Sequence, residues 1–185
     1  MTNHNADRMP PLPDSHLSLA QKSAKAEIIN GPRGTFEGPF IPLLRSPDLM
    51  NRLEKVGEYL RYGSILPANI RELAILTVAR AYNQQTEWAI HHPIAVKVGV
   101  SPETLLALAE ARRPPAPTPA EQAAWDFLTE LESRRAVSTP TYNAALHHFT
   151  EQGIIELTTI AGYYATLAMI MNIAQTPPPA GERLP

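Results

Sequence analysis

The chain has 185 residues, no cysteine, a formal charge of −2 and a pI near 6.3. That length suits one domain with a sizeable core. The near-neutral charge gives no electrostatic case for nucleic acid or an anionic membrane, and the absence of thiols excludes disulfides, thiolate metal sites and dithiol redox cycling.

In chain order, the elements read as all-α. Residues 1–16, MTNHNADRMPPLPDSH, are polar and proline-rich. They predict a flexible arm, and they lack the basic start and apolar core of a secretory signal, which points to the cytoplasm. A single domain is expected over 17–175. Its first helix covers Leu17 to Ile29 and ends before a Gly/Pro-rich loop, 31–42. Ser46-Pro47-Asp48 is a helix start that carries the chain to Tyr62, where Gly63 stops it. Pro67 opens a helix to Asn83, and Asn83 is the expected N-cap of the next, from Gln84 to Val98. Ser101-Pro102-Glu103 starts a short helix to Arg112.

RPPAPTP, 113–119, is a rigid connector. Thr118-Pro119 begins another helix, and two more are expected near 138–151 and 153–174. The proline-rich tail, 176–185, cannot continue a helix. Residues 157–174 carry no charge and approach membrane-spanning length. Their threonines, tyrosines, asparagine and glycine, without basic flanks, instead predict a buried helix or a subunit interface. The total is an all-α bundle of seven to eight helices.

The candidate chemistry lies on two of these helices. Glu72 sits among Ile70, Leu73, Ala74, Ile75, Leu76, Val78 and Ala79. At a hundred degrees per residue it points between Ile75, Leu76 and Ala79. An unpaired anion there is too costly, so Glu72 needs a partner such as Arg71 or Arg80, or must hold a proton. Glu87 falls in a first helical turn, where the macrodipole favours an ionised carboxylate. His91 is one turn later on the same face. Pro93 frees the Ala89 carbonyl beside it. His92 faces elsewhere, and His147 and His148 read as surface residues. Glu72, Glu87 and His91 are also conceivable metal ligands, but there is no His-x-x-x-His or HExxH spacing.

The stretch RELAILTVARAYNQQTEWAIHH resembles the core of the carboxymuconolactone decarboxylase family, related to the alkyl hydroperoxidase D-like (AhpD-like) proteins. The resemblance spans about 45–174 and includes GPF at 38–40, LRSP at 44–47, YLR at 59–61, EQGIIEL and GYYATLAMIMN. It implies an AhpD-like helical bundle. In the peroxidase branch a Cys-x-x-Cys pair precedes the histidine; here those positions hold Gln84 and Glu87, so the dithiol peroxidase route is chemically closed.

The family's decarboxylase chemistry implies a cofactor-independent lyase or isomerase in aromatic catabolism, acting on a small carboxylated lactone or related acid. Loss of CO2 sends electrons through a double bond into the lactone carbonyl, and the protein must deliver one proton to carbon. On that reading His91 is the donor, kept protonated by ionised Glu87. Glu72 polarises or relays, Arg45 or Arg33 grips a carboxylate, and Tyr82 lies within reach by sequence. No cofactor is expected. The partners expected are a small-molecule substrate and further copies of the chain, as a dimer, trimer or hexamer, with no nucleic acid and no membrane. The alternatives are a non-catalytic binding or assembly protein of the same fold, and a metal-dependent hydrolase using Glu72, Glu87 and His91.

Overall fold

A computed structural model describes residues 7–185, and among them every regular element is helical. After a 3-10 turn at Asp14–His16 come α1 (Leu19–Asn30), α2 (Phe40–Leu43) and α3 (Pro47–Glu58). A π-helical turn follows at Tyr59–Gly63, then α4 (Ala68–Ala81), α5 (Gln85–Lys97), α6 (Pro102–Ala109), α7 (Pro119–Arg134) and α8 (Thr139–Ala174).

The helix predicted to be apolar almost all round takes the centre. Leu73, Ala74, Leu76 and Val78 of α4 are fully buried, and α4 packs against α5, α6, α7 and α8. Burying each large aliphatic side chain contributes roughly 1.5–3 kcal/mol, so α4 anchors the core. The apolar stretch 157–174 forms the second arm of α8 and is mostly buried against this centre. That arm begins at a break: Thr150 has φ 61° and ψ 171°, which divides α8 close to where two separate helices were expected.

The local chemistry differs from expectation in three places. Asn83 does not cap α5; it adopts φ 49° and turns the chain, while Gln84 is the N-cap and accepts the Thr86 N–H at 2.7 Å. Asparagine tolerates that left-handed conformation, which lets two helices join through a very short link. The expected 31–42 loop gives way to α2 at Phe40. The helix expected to run to Tyr62 widens into a π turn at Tyr59.

The Glu156 carboxylate of α8 secures that turn. It accepts from Tyr59 Oη (2.7 Å), Ser64 Oγ (2.6 Å), Ile65 N–H (2.9 Å) and Gln152 Nε2 (2.8 Å). Burial pushes its pKa up, but the Ser64, Tyr59, Gln152 and Ile65 bonds outweigh this and hold it below the ordinary carboxylate value. With the folded pKa depressed, the stabilisation is present above the usual carboxylate range and disappears as pH falls through the folded value. Glu156→Gln is therefore expected to lose about 1–3 kcal/mol at pH 7 in denaturant titrations, with the gap closing in acid.

Both ends of the described residues lie along the bundle. Residues 1–6 of the expected flexible arm are outside the described residues. The remainder, 7–16, is tied down: the Arg8 N–H donates to the Ala174 carbonyl at 2.8 Å, and Arg45 Nη2 donates to the Pro10 carbonyl at 2.8 Å. The tail after α8 returns across α5, where the Gln85 side chain pairs with both backbone groups of Leu184. Leu184 is buried, and Gly181, at φ +148°, passes against Ala89.

Candidate functional site

The α4–α5 link sets Glu72 and His91 face to face. Glu72 Oε2 lies 2.7 Å from His91 Nδ1, and both residues are buried. The expected arginine partners for Glu72 are not used: Arg71 donates to the Leu66 carbonyl, and the carboxylate's partner is the imidazole. This contact fixes the ring. A neutral His91 donates from Nδ1 and leaves Nε2 free to accept; a protonated one offers Nε2–H. The Tyr164 ring packs edge-on against the imidazole at 5.2 Å and limits its rotation.

Glu87 is on the other side of the ring. Its Oε2 is 3.5 Å from His91 Nε2, too far for a good hydrogen bond, and its buried Oε1 has no partner among the described residues. Burial pushes the Glu87 pKa up, against the lowering influence of His91, Arg33 and Arg61. This weighs against the expectation that Glu87 stays ionised and holds His91. The helix dipole is worth about 0.3–2 kcal/mol to an acid in a first turn, whereas desolvating a carboxylate costs several kcal/mol. Desolvation is the larger influence on Glu87, and the close partner of His91 is Glu72.

Glu87 and His91 open onto a cavity of about 220 Å³. Its apolar wall is Pro39, Phe40, Ile90, Ile94 and Leu167; Arg33, Arg61, Thr35, Glu37, Tyr163 and Tyr164 supply the polar lining. The Arg33 charge is partly committed, because it pairs with Glu54 at 3.0 Å while stacking on the Phe40 ring. Burial works against that charge, but Glu54 holds the Arg33 pKa up. Arg61 is half-buried on the π turn, and its short-range partner among the described residues is the neighbouring Tyr62 ring. The buried Tyr163 hydroxyl also has no hydrogen-bond partner among the described residues, and burial raises its pKa. A Cβ on Gly57 would collide with this hydroxyl, so glycine at 57 keeps Tyr163 in place.

Of the expected binding residues, only Arg33 lines this cavity. Arg45 is exposed and spends its guanidinium on the Ile41 and Pro10 carbonyls, which closes the end of α2 and ties down the N-terminal segment. Tyr82 ends α4 ten residues after Glu72, about 15 Å along the axis, and lines a different groove. Sequence reasoning missed Arg61, Tyr163 and Tyr164. YLR at 59–61 and GYYATL had registered only as family-like strings, without roles.

The arrangement suits proton transfer beside a bound anion. It does not suit the metal alternative. Nδ1 is occupied by Glu72 while Nε2 faces Glu87, so the two carboxylates flank opposite sides of the ring instead of converging on one point with it. Among the described residues no group of three His, Asp or Glu side chains is placed to hold a metal ion. Gln84, at the first thiol position of the peroxidase branch, has a structural role: it caps α5 and donates to Asn172 Oδ1 of α8 at 2.7 Å.

Residues 47–130 match the Carboxymuconolactone decarboxylase family, and that segment contains Glu72, Glu87 and His91. An uncharacterised peroxidase-related protein from Ralstonia eutropha JMP134, with an alkylhydroperoxidase AhpD core, shares the fold at a TM-score of 0.75. It is 17% identical, over 93% of this chain and 92% of that one. A protein of unknown function from Agrobacterium tumefaciens, described as an AhpD antioxidant defence protein, gives 0.65 at 15% identity, over 75% of this chain and 95% of that one. At such identities the two structures establish the fold alone. No curated protein matches the chain at a comparable level. The chain, which has no cysteine, thus resembles the carboxymuconolactone decarboxylase family over residues 47–130 and shares the AhpD-like fold.

Proposed function

We propose that the protein is a cofactor-independent acid–base lyase or isomerase acting on a small unsaturated acid of the carboxylated-lactone class. The observation that carries this reading is the Glu72–His91 pair at 2.7 Å, whose free ring nitrogen adjoins a small cavity also lined by arginines. The cavity is smaller than the roughly 300–1,000 Å³ of ordinary drug-sized sites, which favours a compact substrate.

In the decarboxylating case the C–CO2 bond breaks and CO2 leaves. The bonding pair passes through the ring double bond to the lactone oxygen as an extended enolate. His91, protonated at Nε2 and steadied by Glu72, returns one proton to carbon, and solvent reprotonates the imidazole. A departing carboxylate disperses its charge, so it fits the apolar wall of Phe40, Ile90 and Ile94 better than a cation. Arg61 suits a second carboxylate or the developing enolate oxygen. The same acid–base pair would serve an isomerase that moves a proton without losing CO2.

The direct test is to incubate purified protein with unsaturated lactone acids in the absence of added cofactor and follow CO2 release and substrate absorbance. If no such acid is turned over, the non-catalytic binding class takes its place. Arg61→Gln is expected to reduce kcat/KM by about 10–100-fold, the usual value of a charged hydrogen bond, with most of the loss in KM. An unchanged KM would remove Arg61 from substrate binding.

A further inference from the structure

Arg80, an expected partner of Glu72, lies elsewhere. It is eight residues further along α4, about 12 Å up the axis and roughly 80° round the helix from Glu72. There it meets the ends of α6 and α7 at a second cavity, of about 560 Å³. No residue lines both this cavity and the one at His91. Leu108, which is buried, and the half-buried Trp125 give it an apolar side. Arg113 packs 5.3 Å from the centroid of the Trp125 ring and pairs with Asp126 at 2.9 Å, which steadies that wall. Two left-handed turns shape the rim: Ala111 after α6 has φ 54°, and Arg135 after α7 has φ 58°. Residues other than glycine adopt that region rarely, and they stay in it where the surroundings impose it.

Charge decides what this cavity can hold. Arg112 pairs with Glu110, and Arg135 with Glu132 at 2.9 Å, so an acid answers each of those cations. Arg80 is different: its Nε is buried with no hydrogen-bond partner, and among the described residues no carboxylate pairs with it. The ordinary use of an arginine in a last helical turn is to bond the terminal carbonyls and complement the dipole. Here those carbonyls are already taken. Val78, Ala79 and Arg80 accept from the Tyr82, Gln84 and Asn83 N–H groups, and Ala107 and Leu108 of α6 accept from Arg112 and Ala111. The Thr77 and Ser133 hydroxyls donate to carbonyls of their own helices. One guanidinium is thus left over, half out of water and beside an apolar wall. A desolvated cation is stable when it is paired, and the fork of an arginine matches a carboxylate.

We propose that this cavity is a second ligand site, which takes a small organic monocarboxylate with a flat apolar body. The carboxylate pairs with Arg80, and the body lies against Leu108 and Trp125. The single unanswered cation sets the ligand's charge: a phosphate dianion would bring a charge with no counterpart, and a neutral molecule would leave Arg80 unpaired. The volume falls within the roughly 300–1,000 Å³ of ordinary small-molecule sites. The proposal does not depend on the acid–base reading of the cavity at His91.

The test is a benzoate titration of the full chain labelled with 5-fluorotryptophan, followed by fluorine NMR. The chain has two tryptophans, so the readout reports position as well as affinity. The Trp125 signal is expected to shift and saturate with a Kd of roughly 1 mM or tighter, while the Trp88 signal stays in place. Benzyl alcohol, which has the same ring without the charge, should bind at least about tenfold more weakly. Arg80→Gln is expected to weaken benzoate by about 10–100-fold, the value of a charged hydrogen bond. Its melting temperature should hold or rise, because no partner in the protein is stranded; an arginine with a purely structural role would lower it. Arg61→Gln, at the other cavity, should leave the Trp125 response unchanged. If Arg80→Gln fails to fold, the comparison with benzyl alcohol, made on the wild type, still decides. A Trp125 signal that does not move by about 20 mM benzoate, an equal response to the alcohol, unchanged affinity in folded Arg80→Gln, or loss of the response in Arg61→Gln would each overturn the proposal.

Discussion

His91→Ala is expected to lower kcat on an accepted lactone acid by about 10²–10⁴-fold, the ordinary contribution of a positioned acid–base group. It should also destabilise the protein, because Glu72 is left buried without its partner. Breaking such a pair costs about 3–5 kcal/mol. Loss of activity in the single variant could therefore reflect unfolding, and a second substitution separates the two. Glu72→Gln combined with His91→Ala removes the stranded charge, so most of the stability should return while turnover stays low. Glu72→Gln alone keeps His91 but replaces a carboxylate that orients the ring and stabilises imidazolium with an amide that does neither well. A fall in kcat with little change in KM is expected there, as for a positioning residue. Folded His91→Ala protein with full turnover would end the acid–base reading.

The parts of this site that were legible in the sequence are those fixed by helical spacing. Glu72 on an apolar helix needed a partner, and His91, on the facing helix across a short link, supplies it. The i, i+4 relation placed Glu87 on the same side of α5 as His91. Burial depth was not legible. The first-turn position of Glu87 suggested an ionised carboxylate, but α4, α8 and the α2 segment together exclude water, and desolvation exceeds the dipole. Arg61 was missed because uniform helix geometry was assumed through Tyr62. The π turn sets Arg61 at the cavity, and the turn is held by Glu156, nearly a hundred residues away. Arg45 looked available because it adjoins a Gly/Pro-rich loop. Two backbone carbonyls occupy it, and one of them belongs to a segment expected to be free.

Glu87→Gln is expected to stabilise the protein at neutral pH while impairing turnover. The Glu87 pKa in the folded state lies above its unfolded value, chiefly because the side chain is buried. A group raised in this way contributes stability that is fully present below the unfolded pKa and is lost as pH rises through the folded one. The wild type therefore carries a cost at pH 7 that glutamine, which has no proton to lose, does not. Thermal unfolding should show Glu87→Gln melting a few degrees above the wild type at pH 7, since about 1 kcal/mol moves Tm by roughly 2–4 °C in a chain of this size. The difference should shrink towards pH 4, opposite in sign to the Glu156→Gln profile. Glu87 Oε2 stands 3.5 Å from His91 Nε2, the proton-delivering atom, so an amide there should lower kcat more than it raises KM. The competing arrangement, an ionised Glu87 holding a protonated His91, makes the reverse prediction. Removing that charge would strand a buried imidazolium, and the variant would melt below the wild type at pH 7. The sign of one melting-temperature difference at neutral pH thus decides whether the Glu87 side chain costs or contributes stability beside His91.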